Sequence, residues 1–313
     1  MKLLRFFETY PDEEACKEAF KAERLKEGVT CGKCGCTSHY WKKKREQWEC
    51  KKCGHRTTLK SGTVMHGSRL PFQYWFIAMH LLSSTKKSFS AKEVQHQLGH
   101  KRYEPIWAMM HKIRGAMGAR DGRYRLLGEV ELDEGFFETV PKAGSKAEPL
   151  KRGRGSQRQT AVMVSAESKD AGMEHDPKKH GKKKKVRYLK MKVIDSLKKE
   201  TITKEVREAV AAGTKIVSDK SSSYADLKES FDIESQVIPK AETMKVMPWV
   251  HTAISNAKRL LLDVHHRIDD CFLQSYLDEF CFKFNRRNFD DLFERVLIAA
   301  VSYAPKPIGE TNG

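Results

Sequence analysis

Cys31-Gly32-Lys33-Cys34 and Cys50-Lys51-Lys52-Cys53 are two CxxC pairs separated by fifteen residues (35–49). That spacing can set four thiolates tetrahedrally around one zinc ion, with a glycine permitting each tight knuckle turn. Two disulfides are the competing use, disfavoured because Met1-Lys2-Leu3-Leu4-Arg5-Phe6-Phe7-Glu8 turns acidic too soon for a secretory leader. Cys36 and His55 stand close by but are not needed once four cysteines close the site. A second kind of chemistry is suggested by Gly128 to Glu138, where Val130, Leu132 and Phe136 mark one side at period two, as in a half-buried strand. Asp133 falls on the other side. A carboxylate within a sheet costs several kcal/mol unless it is compensated, either by a divalent cation or by one of the many lysines and arginines. Asp219 ends the short apolar run Thr214-Lys215-Ile216-Val217-Ser218, and ligand sites of α/β sheets gather at such edges. Capping of a following helix is its alternative use.

Positioning these residues takes several elements, and composition says what surrounds them. The formal net charge is +18 and the sequence pI about 9.5, which favours a polyanionic partner, nucleic acid before an anionic membrane surface. No apolar run approaches the ~18 residues a membrane span requires. The expectation is a soluble, intracellular protein of two or three domains.

Residues 1–30 read as a helical lead-in, with Cys16 in its core, and 31–58 as a zinc ribbon carrying Trp41 and Trp48 on its β-arms. Lys42, Lys43, Lys44 and Arg45 fall on a ribbon turn and could touch phosphates. Residues 70–118 read as a supporting helix from Pro71, a capping box at Ser90-Ala91-Lys92-Glu93, a short helix ending at Leu98-Gly99, and a second helix from about Glu104. This is helix-turn-helix-like, with Lys101, Arg102, Lys112 and Arg114 as DNA-facing candidates. From 126 to 303 the pattern is α/β. It has strands near 128–138, 159–166 and 186–194, then a helix over 196–212 closed by Gly213. Strands at 214–219 and 235–238 follow, and then three helices. Loops over 141–155 and 169–185, the second with consecutive Lys182 to Lys185, are polar and could reach a nucleic-acid backbone.

Three strands, a helix, a strand, then helices, with Asp on the first strand and at the end of the fourth, resemble the RNase H-like fold. The whole chain resembles insertion-sequence transposases with an N-terminal zinc ribbon and a DDE-type nuclease domain. The matching stretches are Cys31 to Cys53, Val94 to Gly99, Glu131-Leu132-Asp133-Glu134, Ser218-Asp219 with Tyr224, His251 to Arg259, and Tyr276 to Phe280 with Phe284-Asn285-Arg286-Arg287. The resemblance implies an RNase H-like mixed sheet flanked by helices, preceded by the ribbon and the helical domain. It also implies a bacterial cytoplasmic protein.

The same resemblance implies Asp133 and Asp219 as magnesium or manganese ligands. No Glu stands at the third position, as in a D-D-N-K subgroup. Aligning His251-Thr252 puts Asn256 there as third metal ligand, with Lys258 as basic partner, and this is the preferred assignment; counting seven back from Lys258 selects His251 as the alternative. Arg259 joins the DNA-facing set. The implied reaction is strand cleavage and transfer at DNA phosphodiesters, using two ions about 3.5–4 Å apart. The implied partners are double-stranded DNA, as terminal inverted repeats and target, and further copies of the chain, as a homodimer or larger assembly. Two rivals stand beside it. One is a DNA-binding regulator that has lost catalysis, favoured by the missing third acid. The other is an RNA-processing nuclease, disfavoured because an A-form major groove excludes a helix.

Overall fold

The computed structural model describes residues 1–140, 156–170, 184–219, 227, 231–236, 246–265 and 267–305. The 141–155 loop, Tyr224, Lys182 and Lys183 lie outside the described residues. Two compact units emerge: Met1–Arg120 with Asn288–Gly313, and Asp121–Arg287. The second unit is therefore shorter than the 126–303 expected for it.

In the first unit, α1 (Leu3–Thr9) and α2 (Glu13–Glu27) precede a three-stranded sheet of β1 (His39–Lys42), β2 (Gln47–Cys50) and β3 (Arg56–Thr58), antiparallel throughout. The lead-in does more than precede the ribbon. Arg24 of α2, only 8% exposed, donates to the Thr58 and Leu59 carbonyls and stacks on the Trp48 ring. Helices α3 (Phe72–Ser84), α4 (Ala91–Gln97) and α5 (Tyr103–Asp121) follow. Ser90 caps α4 through Glu93 N–H at 3.0 Å, and Gly99 takes φ +61° in the turn before α5.

Of the residues expected on the DNA face, Arg114 is turned inward and Lys112 is half-buried against the backbone. Arg114 is 1% exposed and donates to the Phe89 carbonyl; Lys112 donates to the His66 carbonyl, and burial lowers its pKa. The reason is that burial extends beyond the apolar face of Ile106, Met109, Met110, Ile113, Ala116 and Met117 to His111 and Arg114 on its flank, and no residue over 105–118 is exposed. The sequence pattern had left it an outer stripe. The final helix also departs from expectation. It belongs to this unit, where the Phe293 ring packs on Phe6, Tyr10 and Phe76, and Val64 N–H donates to the Ala300 carbonyl. An apolar stripe says that a helix is buried, not against what.

The second unit holds a five-stranded mixed sheet. Its strands are β4 (Glu129–Glu138), β5 (Gln159–Asp170), β6 (Lys184–Val193), β7 (Lys215–Asp219) and β8 (Asp232–Gln236), in the order β6-β5-β4-β7-β8. Strands β4, β5 and β6 pair antiparallel, while β7 and β8 run parallel to β4. This is the RNase H-like arrangement. Helix α6 (Lys199–Ala209) covers one face through Ile202 and Val206, against Val130, Leu132, Met163 and Ile216. Helices α7 (Pro248–Val264) and α8 (Asp270–Asn285) cover the other, against Phe137, Val162, Val164 and Ala166. Helix α9 (Leu292–Val301) is the one assigned to the first unit.

Helix α6 ends at Ala209, short of the expected 212, because Val210 bridges to Leu126; Gly213, at φ +76°, instead serves the turn into β7. The expectation of a half-buried β4 also fails. Glu131 and Phe137 on the Asp133 side are 0% and 2% exposed, so β4 is buried on both faces.

Strand β6 is a sheet edge, whose outward N–H and C=O groups would invite another strand. Side chains of α8 occupy them. Asn285 accepts from Leu189 N–H at 2.7 Å and donates to the Leu189 carbonyl at 3.0 Å. Gln274 does the same for Val193 N–H and the Met191 carbonyl, and Arg287 donates to the Val186 carbonyl. The Asn285 amide also reaches Asp121 and Tyr124, while Arg286 pairs with Asp121 at 2.6 Å. The Asn285-Arg286-Arg287 block is thus a fastening between α8, the sheet edge and the unit's first residues. Asn285→Ala strips several buried groups of a partner at once and is expected to cost about 2–4 kcal/mol in urea unfolding. A loss below about 0.5 kcal/mol would mean that water takes over the amide's role.

Candidate active site and zinc centre

The ribbon brings its four cysteines together. Cys31 Sγ lies 3.6 Å from Cys53 Sγ, and Cys34 Sγ 3.6 Å from Cys50 Sγ; all four sulfurs fall within 4.8 Å of one another. Sulfurs bound to one tetrahedral zinc at about 2.3 Å stand about 3.8 Å apart, so this donor set fits zinc. The knuckles explain the approach. Gly35 and Gly54, each following a CxxC pair, take φ +70° and +69° and donate to the Cys31 and Cys50 carbonyls. Gly32, which looked like the turn residue, has no such φ. Burial pushes the Cys50 thiol up, but the N–H groups of Cys53 and Lys52 and the neighbouring Cys34 and Cys53 thiols bring it down to about 6, while the same thiol contacts raise Cys34 to about 12. Cys50 so disposed favours the ligating thiolate. Cys36 turns to Ser38 instead, and neither it nor His55 belongs to the cluster.

In the second unit the register decides which acids meet. Leu132 of β4 pairs with Ser218 of β7 in parallel, so Asp133 and Asp219 come next on neighbouring strands, about 4.8 Å apart across the ladder. Alternation puts both on the face opposite Leu132 and Ile216, which is the α7 face. Asp133 has 18% of its side chain exposed and Asp219 is exposed. Asp219 ends β7, whereas Asp133 stands midway along β4, which runs on to Glu138; both acids keep exposure on the α7 face.

Helix α7 lies along β4 in step with it. His251 Nδ1 is 3.5 Å from Asp133 Oδ2. The Ile254 side chain closes on Gly135, where an added Cβ would stand 3.3 Å from it, and Lys258 Nζ sits 5.7 Å from the Phe137 ring centre. His251, Ile254 and Lys258 thus share the face toward β4. Asn256 is exposed, and five residues beyond His251 it is turned about 140° around the helix. Arg259 is exposed as well. Among the described residues, the four cysteines are the one set of three or more His, Cys, Asp or Glu whose ligand atoms all lie within 4.8 Å; His251, Asp133 and Asp219 do not form a second.

One contributor escaped the sequence reading. Glu131, fully buried, accepts Trp249 N–H at 2.8 Å and Val250 N–H at 3.0 Å through Oε2, capping α7 from within the sheet. The available signal was a second carboxylate two residues before Asp133, hence on the same strand face. Of the candidate DNA contacts, Lys42 to Arg45 are exposed around a 3-10 turn at Lys43–Arg45, and Lys101 and Arg102 are exposed ahead of α5. Among the described residues no helix is long and apolar enough to cross a membrane.

No curated protein matches the chain. Three solved structures are similar to the chain at low identity and low TM-score. The Mos1 transposase paired-end complex with left transposon end is 13% identical, with TM-score 0.32 over 76% of this chain and 82% of that one. The Mos1 mariner paired-end complex with Mn is 13% identical, with TM-score 0.28 over 77% and 91%. A pre-cleavage Mos1 transpososome is 12% identical, with TM-score 0.27 over 77% and 82%. Family profiles are more specific. A transposase zinc-ribbon domain matches residues 11–56, so that α2 as well as the ribbon is included. The ISXO2-like transposase domain matches residues 125–285, just over half of the chain and nearly the whole second unit. With both matches in chain order, this protein belongs to the ISXO2-like transposases that carry an N-terminal zinc ribbon.

Proposed function

We propose that the chain binds the terminal inverted repeats of an insertion sequence and catalyses metal-dependent strand cleavage and strand transfer. The observation that carries this reading is the pairing of β4 with β7, whose register brings Asp133, midway along β4, beside Asp219, at the end of β7, on the α7 face. Two carboxylates side by side on one sheet face are the hard oxygen donors that Mg²⁺ or Mn²⁺ takes, so the residues fit such ions. Bound there, divalent metal would supply Lewis-acid activation of the attacking oxygen and stabilisation of the leaving one.

The chain's own residues do the rest. For the third position the geometry favours His251, beside Asp133, over Asn256, which is exposed on another side of α7. Lys258, on the His251 face, offers a cation to a phosphate near the scissile bond. Lys42, Lys43, Lys44 and Arg45 on the ribbon turn, Lys101 and Arg102 ahead of α5, and Arg259 supply phosphate contacts, which position a duplex without reading its sequence. Base reading falls to the exposed start of α5, since the middle of that helix is buried. Two ends cut and joined call for two active sites, hence a dimer or larger assembly on DNA.

The test is a labelled inverted-repeat duplex incubated with the protein and Mg²⁺ or Mn²⁺. Nicking at the element's end, lost on adding chelator, is expected. A duplex that is bound tightly and never cut with either ion would replace this reading with that of a regulator on a retained transposase fold.

A further inference from the structure

We infer that Glu131 is a positioning residue, whose carboxylate holds helix α7 at the height and rotation that bring His251 against Asp133. The inference rests on the active-site reading above and adds to it a residue with no place among the ligands.

Helix α7 has no cap of its own. Met247 at its N-cap makes no side-chain hydrogen bond, and Pro248 at N1 has no N–H to give. The next two N–H groups both go to Glu131 Oε2, across 118 and 119 residues of sequence. A carboxylate at a helix N-terminus gains from the helix dipole as well as from the hydrogen bonds, more so when buried, as Glu131 is. The residue after Val250 is His251. Two consecutive backbone groups are thus tied to position 131, and the very next side chain meets position 133. Further along, Ile254 meets Gly135 and Lys258 meets Phe137, so successive residues on one face of β4 each meet a residue of α7. The apolar contacts keep α7 on the sheet but are tolerant of sliding. The cap at the end nearest Asp133, two N–H groups on one carboxylate oxygen, is directional, and it fixes the last fraction of an ångström.

Three variants test this: Glu131→Gln, which keeps an acceptor oxygen at the same reach; Glu131→Asp, which keeps the charge but is one methylene short; and Glu131→Ala. Glu131→Gln should retain strand cleavage within about fivefold of wild type. Glu131→Asp and Glu131→Ala should lose about 100-fold in kcat with the KM for duplex DNA unchanged, the scale expected of an ångström-level misplacement. Amide hydrogen exchange, read without metal or DNA, should speed up on the order of tenfold at Trp249 and Val250 while the amides of β4 and β5 hold their rates.

Wild-type kcat in both Glu131→Asp and Glu131→Ala would overturn the inference. So would exchange that rises equally through the sheet, because Glu131 would then be supporting the fold as a whole. Asp133→Asn, assayed alongside, separates the two levels. If Asp133→Asn cleaves normally the active-site reading itself is wrong, whereas an inert Asp133→Asn beside a fully active Glu131→Ala defeats only the positioning role.

Discussion

Asp133→Ala and Asp219→Ala are each expected to lower strand cleavage at least about 10³-fold, or about 4 kcal/mol of barrier, while duplex affinity stays within a fewfold of wild type. The separation of effects follows from where the residues lie. Asp219 is exposed at the end of β7, and Asp133 keeps 18% of its side chain in solvent. Truncating an exposed acid at the end of β7, or a partly exposed one on the sheet face, removes little packing, so stability should move by no more than about 1 kcal/mol. The cationic groups expected to hold phosphates lie elsewhere in the sequence, on the ribbon turn, ahead of α5 and at Arg259. What the substitution removes is a donor whose absence is felt when charge develops at the phosphorus. Gel-shift binding, thermal unfolding and nicking measured on one preparation decide the matter. If Asp219→Ala unfolds the protein in step with its loss of cleavage, Asp219 is a structural cap and no ligand. A companion comparison ranks the third position: His251→Ala should fall nearly as far as Asp133→Ala, and Asn256→Ala by less than about tenfold. The reverse order would give the place to Asn256.

Removing zinc should unfold the ribbon. Its strands are four, four and three residues long, too short to be stable alone, and the apparent zinc affinity of small structural sites amounts to about 10–16 kcal/mol of folding energy. The consequence should spread to α2, because Arg24 spends its donors on the Thr58 and Leu59 carbonyls and its guanidinium face on Trp48. A strong chelator is therefore expected to shift the fluorescence of Trp48, which is 3% exposed, and to weaken duplex binding at least about tenfold, by removing the platform under Lys42 to Arg45. The purified chain should hold one zinc. Cys31→Ser and Cys50→Ser should lose it, and Cys36→Ser should keep it, since Cys36 lies outside the cluster. A Cys31→Ser protein with full zinc content would mean that another ligand completes the site.

The zinc centre was legible in the sequence because all its ligands lie within 23 consecutive residues and the chemistry of CxxC is local (31–53). What sequence could not supply there was the glycine doing the turning, since φ is a property of the folded knuckle. The strand and helix order of the second unit was legible for the same reason. Alternation, periodicity and capping residues are written within a few positions of one another. Boundaries went wrong where a tertiary bond intervened, as at Val210, whose bridge to Leu126 ends α6 early.

What the tertiary structure alone decided was company. Which amphipathic helix packs where sent 292–301 to the first unit and turned Arg114 inward, because a stripe records burial but not the partner. The Asn285-Arg286-Arg287 block stood out in the sequence as a motif, yet its task needed the edge strand that it closes. Two aspartates 86 positions apart (133 and 219) were visible as acids at strand positions, but only the parallel register of β4 and β7 makes them neighbours. Glu131 was in plain view and unread, since its partners are backbone N–H groups, which every residue but proline carries and no sequence pattern marks.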